Sequence, residues 1–156
     1  MTTQIEAKLA ELGLTLPEAA APVAAYLPAI EVAGLLHISG QLPFKDGQLM
    51  TGRVGEDRDL DYAAEAAQRC AVMLLAQIRK ALGGDFHRVE RIVKLGVFVN
   101  SAVDFTDQAK VANGASELMA TVFGDSGKHA RSAVGVAVLP LGAVVEIDAI
   151  VALRDA

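Results

Sequence analysis

The sequence predicts an α+β fold, a two-layer sandwich with two helices on one face of a mixed β-sheet. Three observations lead there. Residues 59–82 carry small and apolar side chains at helical spacing, and several shorter stretches alternate apolar and polar with a period of two. The order is strands, long helix, strand, helix, strand, strand. Both helices then fall on one side of one sheet.

The elements follow in order. Residues 4–12 form a short helix with Ile5, Leu9 and Leu12 on one side, and Gly13 stops it. Residues 14–22 are an Ala/Pro segment with no period, a loop or an arm lying on the domain. Strands are expected at 26–32 and 35–39 around Ala33-Gly34. Residues 44–57 hold Gly47, Gly52 and Gly55 among polar residues, a loop with room for one short strand. In the long helix, Leu60, Ala64, Ala67, Ala71, Leu74, Ile78 and Leu82 make one stripe. Asp59 or Asp61 caps its start and Gly83-Gly84 ends it. A strand at 89–100 follows, then a helix over about 105–123 capped by Asp104 or Thr106. We expect one domain over residues 1–156, with 1–23 as N-terminal helix and arm.

Composition narrows the function classes. The chain is 53% hydrophobic, too apolar for disorder. A net charge of −5 sets up no global field for nucleic acid or anionic membrane. One cysteine, Cys70, forms no internal disulfide and suits a reducing compartment, where it is expected as a core thiol. There is no signal peptide pattern and no apolar run of membrane-spanning length, so a cytoplasmic protein is expected. His37, His87 and His129 lack metal-ligand spacing.

The last quarter is the most informative stretch. Val134, Val136 and Val138 alternate, as do Val145, Ile147, Ala149 and Val151, and Leu139-Pro140-Leu141-Gly142 between them suggests a closing hairpin. A turn centred between Pro140 and Leu141 sets 131 across from 150 and 135 across from 146. Arg131 and Glu146 then share the side away from the valines, roughly 13 Å apart at ~3.3 Å per residue. One small substrate would hardly touch both within one chain. A shared site must join the Arg of one subunit to the Glu of another. A slip of one residue would put the two on opposite faces.

Alone, these residues have plain structural readings. Arg131 is a solvated charge at a strand start, and Glu146 an ion-pair partner across a subunit contact. Tyr26 packs with a wet hydroxyl, Asn113 satisfies local backbone, and Ser39-Gly40 ends a strand. Together they resemble a family. His129-Ala130-Arg131-Ser132-Ala133-Val134, Leu139-Pro140 and Val145-Glu146-Ile147-Asp148-Ala149 are similar to the C-terminal signature of the YjgF/RidA family. Ser39-Gly40-Gln41-Leu42-Pro43 matches its Ser-Gly-Gln-hydrophobic-Pro motif, and residues 93–99 its central strand, followed by Asp104-Phe105 and Asn113. The resemblance covers residues 24–154.

It implies a chorismate-mutase-like fold and a homotrimer with sites between subunits. Deaminating members hydrolyse enamines and imines such as 2-aminoacrylate to 2-keto acids and ammonia, and carry an arginine at the place of Arg131. On that reading Arg131 grips the carboxylate of a small 2-imino or 2-keto acid through two hydrogen bonds. Glu146 handles water. Ser39 and Gly40 position the imine nitrogen, and Tyr26 and Asn113 complete the pocket. No metal or organic cofactor is needed, because the imine is already electrophilic. Two departures stand out. Ala133 replaces a cysteine common in deaminating members, and the added N-terminal helix and arm resemble a longer subgroup. The rivals are a non-catalytic binder of small carboxylates or a regulatory protein, and an endoribonuclease or translation inhibitor. The acidic balance and few aromatics disfavour the latter. A chorismate mutase rests on fold analogy alone.

Overall fold

The structure, a computed structural model, describes residues 2–22 and 24–156. The arm boundary expected at residue 23 lies outside them. Among the described residues α1 is Thr2–Glu11, α2 is Leu60–Ala81 and α3 is Gln108–Phe123. The strands are β1 (Ala29–Val32), β2 (Leu35–Gln41), β3 (Phe44–Lys45), β4 (Gln48–Leu49), β5 (Val89–Asn100), β6 (Ala130–Val136) and β7 (Val145–Leu153). The main sheet has the order β1-β2-β7-β5-β6, mixed, with β5 and β6 parallel. β3 and β4 form a separate small hairpin. The expected α+β sandwich with a short N-terminal helix is what the chain forms.

Local chemistry sets the boundaries. Ala33 and Gly34 both take positive φ, the two-residue turn that joins antiparallel strands without splaying them. Asp59 Oδ1 accepts from the Tyr62 amide at 2.8 Å and caps α2. From Cys70 to Ile78 every residue of α2 is buried, because the sheet, α3 and the N-terminal segment surround it. The Ala/Pro segment lies on α2 as an arm. Arg79 Nη2 donates to Pro17 O at 2.8 Å and Gln77 Nε2 to Ala20 O at 2.9 Å. The helix α3 starts later than expected, at Gln108 after Asp107, not at Asp104 or Thr106. There the Gln108 side-chain Nε2 donates to Phe105 O and the Phe105 backbone N–H donates to Ala102 O, a turn that takes up those residues.

The strand expected at 26–32 begins only at Ala29, and the expected closing hairpin does not form. β6 and β7 are not a hairpin, since β5 lies between them and pairs with both. After β5 the chain crosses through α3 and returns parallel to it, the usual connection for parallel neighbours. Residues 137–144 then carry it past the end of β5, with a 3-10 turn at Pro140–Gly142. Pro and Gly mark that turn truthfully, but it belongs to a crossover and not to a hairpin.

Candidate active site

The faces of the sheet follow from the register. Leu95, Val97 and Val99 of β5 pair with Ala149, Ile147 and Val145 of β7 and face the helices. Phe98 and Gly96 pair with Glu146 and Asp148 and face the other way. Arg131 sits beside Leu95 and therefore on the helix side. Glu146 and Arg131 thus lie on opposite faces, which corrects the shared face expected from a hairpin. Three residues along and two strands across separate them, roughly 14 Å at ~3.3 Å per residue and ~4.8 Å per strand.

Two clusters result. On the helix side, Arg131 Nη1 donates to Asn113 Oδ1 at 2.9 Å and to Ser116 Oγ at 3.0 Å, and Nη2 to Ala109 O at 3.3 Å. These bonds use three of the guanidinium's five hydrogens. Nε–H and one Nη2 hydrogen remain to hold an anion. His129 supports Ser116. Its Nδ1 donates to Gly127 O at 2.6 Å, since a carbonyl only accepts. In the neutral ring, Nε2 at 2.9 Å then accepts from the Ser116 hydroxyl. The sequence reading missed Ser116 and gave His129 no role. Spacing offered a signal for both: Ser116 follows Asn113 by one helical turn, and His129 precedes Arg131 by two strand positions.

On the outer face, Glu146 lies over Gly40. A β-carbon built on Gly40 would stand 2.2 Å from Glu146 Oε1, so a larger residue there would displace the carboxylate from this position. Burial, and then the charge of Asp148, pushes the Glu146 carboxyl above its usual range. Burial also raises Asp148, against a bond from the Gly96 backbone and the charge of Lys94. Ser39 Oγ donates to Leu27 O at 2.8 Å and its amide to Pro28 O at 3.0 Å. Its hydroxyl thus pins the segment that carries Tyr26. Exposed Tyr26 and Gly40 line one cavity. Gly40 thus borders the Glu146 carboxylate on the outer face and, toward α2, the cavity that Tyr26 lines, while Asn113 and Arg131 meet at another place. Cys70 is fully buried beneath the sheet, where burial pushes its thiol well up. Among the described residues no three His, Cys, Asp or Glu side chains gather to hold a metal ion.

A family model described as YjgF/chorismate mutase-like matches residues 6–153. The chain belongs to the YjgF/RidA family. Among its relatives some are named for deaminase and some for endoribonuclease activity, and others carry neither name. The Trypanosoma cruzi protein TCP17 is 49% identical over 97% of this chain and 96% of its own. The 2-iminobutanoate/2-iminopropanoate deaminase of Mus musculus is 36% identical over 85% of this chain and 84% of its own. Among solved structures, the protein Atu1372 of unknown function from Agrobacterium tumefaciens superposes with TM-score 0.93 at 49% identity, over 98% of this chain and 94% of that one.

Proposed function

We propose that this YjgF/RidA member is a deaminase that hydrolyses reactive 2-imino acids to 2-keto acids and ammonium. Its site is completed between subunits of a homotrimer. Supporting this is the separation of one guanidinium and one raised carboxyl onto opposite faces of the sheet. Each cluster holds half of what the reaction requires. Arg131, fixed by Asn113 and Ser116, binds the substrate carboxylate with its two remaining N–H groups. Glu146 of the neighbouring protomer faces the imine carbon.

The reaction balances without another reactant. Glu146 takes a proton from water as its oxygen attacks C2 of the protonated imine, giving a tetrahedral carbinolamine. The same proton passes to the amine nitrogen. The C–N bond breaks to release ammonia, the hydroxyl oxygen forms the carbonyl as Glu146 takes its proton, and that proton passes to the ammonia, which departs as ammonium with the 2-keto acid. With its carboxyl held above the usual range by burial, Glu146 is the stronger base toward water when ionised. The likeness to the murine deaminase supports the same chemistry.

The test is ammonia release from freshly generated 2-iminopropanoate. Arg131→Ala should lower kcat/KM by roughly 100-fold, the worth of about 3 kcal/mol of charge-assisted hydrogen bonding. Purified protein without turnover, or full activity in the variant, would remove this reading.

A further inference from the structure

This inference rests on the deaminase reading and concerns how Arg131 is aimed. Both hydrogens of Arg131 Nη1 go to one helix, to Asn113 Oδ1 and to Ser116 Oγ. Guanidinium hydrogens lie in the plane of the group, so two fixed acceptors on one nitrogen set that plane. They thereby set the direction of Nε–H and of the free Nη2 hydrogen. Asn113 is exposed, whereas Ser116 is half-buried. The Ser116 bond is thus the one less open to competition from water.

A serine hydroxyl is by itself a poor fixed point, since it rotates to suit its partners. In a helix it commonly donates to the carbonyl four residues back, here that of Ala112. His129 removes that choice. Its Nε2 lies 2.9 Å from Ser116 Oγ and, in the neutral ring, accepts the hydroxyl hydrogen. A lone pair of Oγ is then left for Arg131. The ring itself is held by Nδ1–H, which donates to Gly127 O at 2.6 Å. Gly127 is buried with its backbone against α3, where a β-carbon would stand 2.0 Å from Met119 O. The carbonyl that fixes the tautomer is therefore itself fixed to the helix that carries Ser116.

We propose that His129 is a positioning residue: by fixing the Ser116 hydroxyl it aims Arg131 at the substrate carboxylate. It acts through Ser116 and touches no substrate. Arg131 holds the carboxylate in the ground state and the transition state alike, so a loss of aim raises KM and leaves kcat nearly as it was.

The experiment separates the two ends of the imidazole. In His129→Asn the amide nitrogen stands near the place of Nδ1 and still donates to Gly127 O, but nothing reaches Ser116. In His129→Gln the amide oxygen reaches the place of Nε2 and accepts from Ser116. KM for 2-iminopropanoate, and the Kd of pyruvate by calorimetry, are measured for each. His129→Asn should raise both about fivefold, the worth of one neutral hydrogen bond, with kcat within about twofold. His129→Gln should recover most of that loss. In a Ser116→Ala background, His129→Asn should change neither constant further. Recovery by Asn and not by Gln would make His129 a brace for the loop alone. That result, no effect of His129→Asn, or an undiminished effect in the Ser116→Ala background overturns the proposal. Wild-type protein that binds pyruvate with these shifts but turns over no imine overturns the deaminase reading alone. Neither binding nor turnover overturns both.

Discussion

Arg131 is held by groups that bear no charge. Asn113, Ser116 and the Ala109 carbonyl fix its position without neutralising it. Arg88 and Arg79, by contrast, pair with Glu31 and with Glu6 and Glu18. A fixed, unneutralised guanidinium suits an anion brought from elsewhere. Glu146 and Asp148 make the opposite arrangement, two carboxyls on alternate positions of one strand. Both are raised by burial, Glu146 further by Asp148. The folded protein therefore holds these protons more tightly than the unfolded chain. Their contribution to stability is full below the ordinary carboxylate pKa and is lost as pH rises through the raised ones. For catalysis, Glu146 must be ionised to activate water, so it sets the acid limb of the kcat/KM profile. Asp148→Asn removes the neighbouring charge and keeps an oxygen for the Gly96 amide. The acid limb should move to lower pH in that variant, as a pH–rate profile will show. A limb that stayed fixed or moved up would take Asp148 out of this account.

At the scale of elements, the contact between α2 and α3 places the Arg131 cluster. A β-carbon on Gly114 would stand 2.0 Å from the Ala64 carbonyl oxygen. Asn113 and Gly114 lie inside a regular helix packed backbone to backbone on its neighbour. Asn113 and Ser116 flank that glycine and hold Arg131. Gly114→Ala must push the two helices apart, which should destabilise the protein by about 1–3 kcal/mol. Urea unfolding should show a lower midpoint with an unchanged slope. An unchanged midpoint would mean that α3 does not depend on this approach.

For the whole molecule, the outer face of the sheet is the open question that function answers. Ile30, Val32 and Val134 are exposed there with half-buried Phe98 and Ile150, and the two carboxyls lie among them on the central strand β7. Apolar surface of this kind marks an interaction site, and the homotrimer proposed above would use it. Sites shared between protomers have a signature. Arg131→Ala and Glu146→Gln, each strongly impaired alone, should regain activity when co-expressed. In a randomly mixed ring about one quarter of the sites would combine an intact Arg131 with an intact Glu146. Assays of the co-expressed mixture check this, and no recovery would place the whole site within one chain.

By itself the sequence determined the element types, the long central helix with its cap, and the residues able to do chemistry. These depend on neighbours a few positions apart, through periodicity, capping and the motifs at Ser39-Gly40 and Arg131. Strand order does not. Pro140-Gly142 marks a turn in a hairpin and in a crossover alike, so local signals could not tell that β5 would separate β6 from β7. That order put Arg131 against α3 and Glu146 on the outer face. Ser116 and His129 became its supports only through contacts between α3, β6 and the loop before it. Side-chain period fixes which residues share a face of one strand, but pairing across the sheet is settled only when distant strands find their lowest-energy partners.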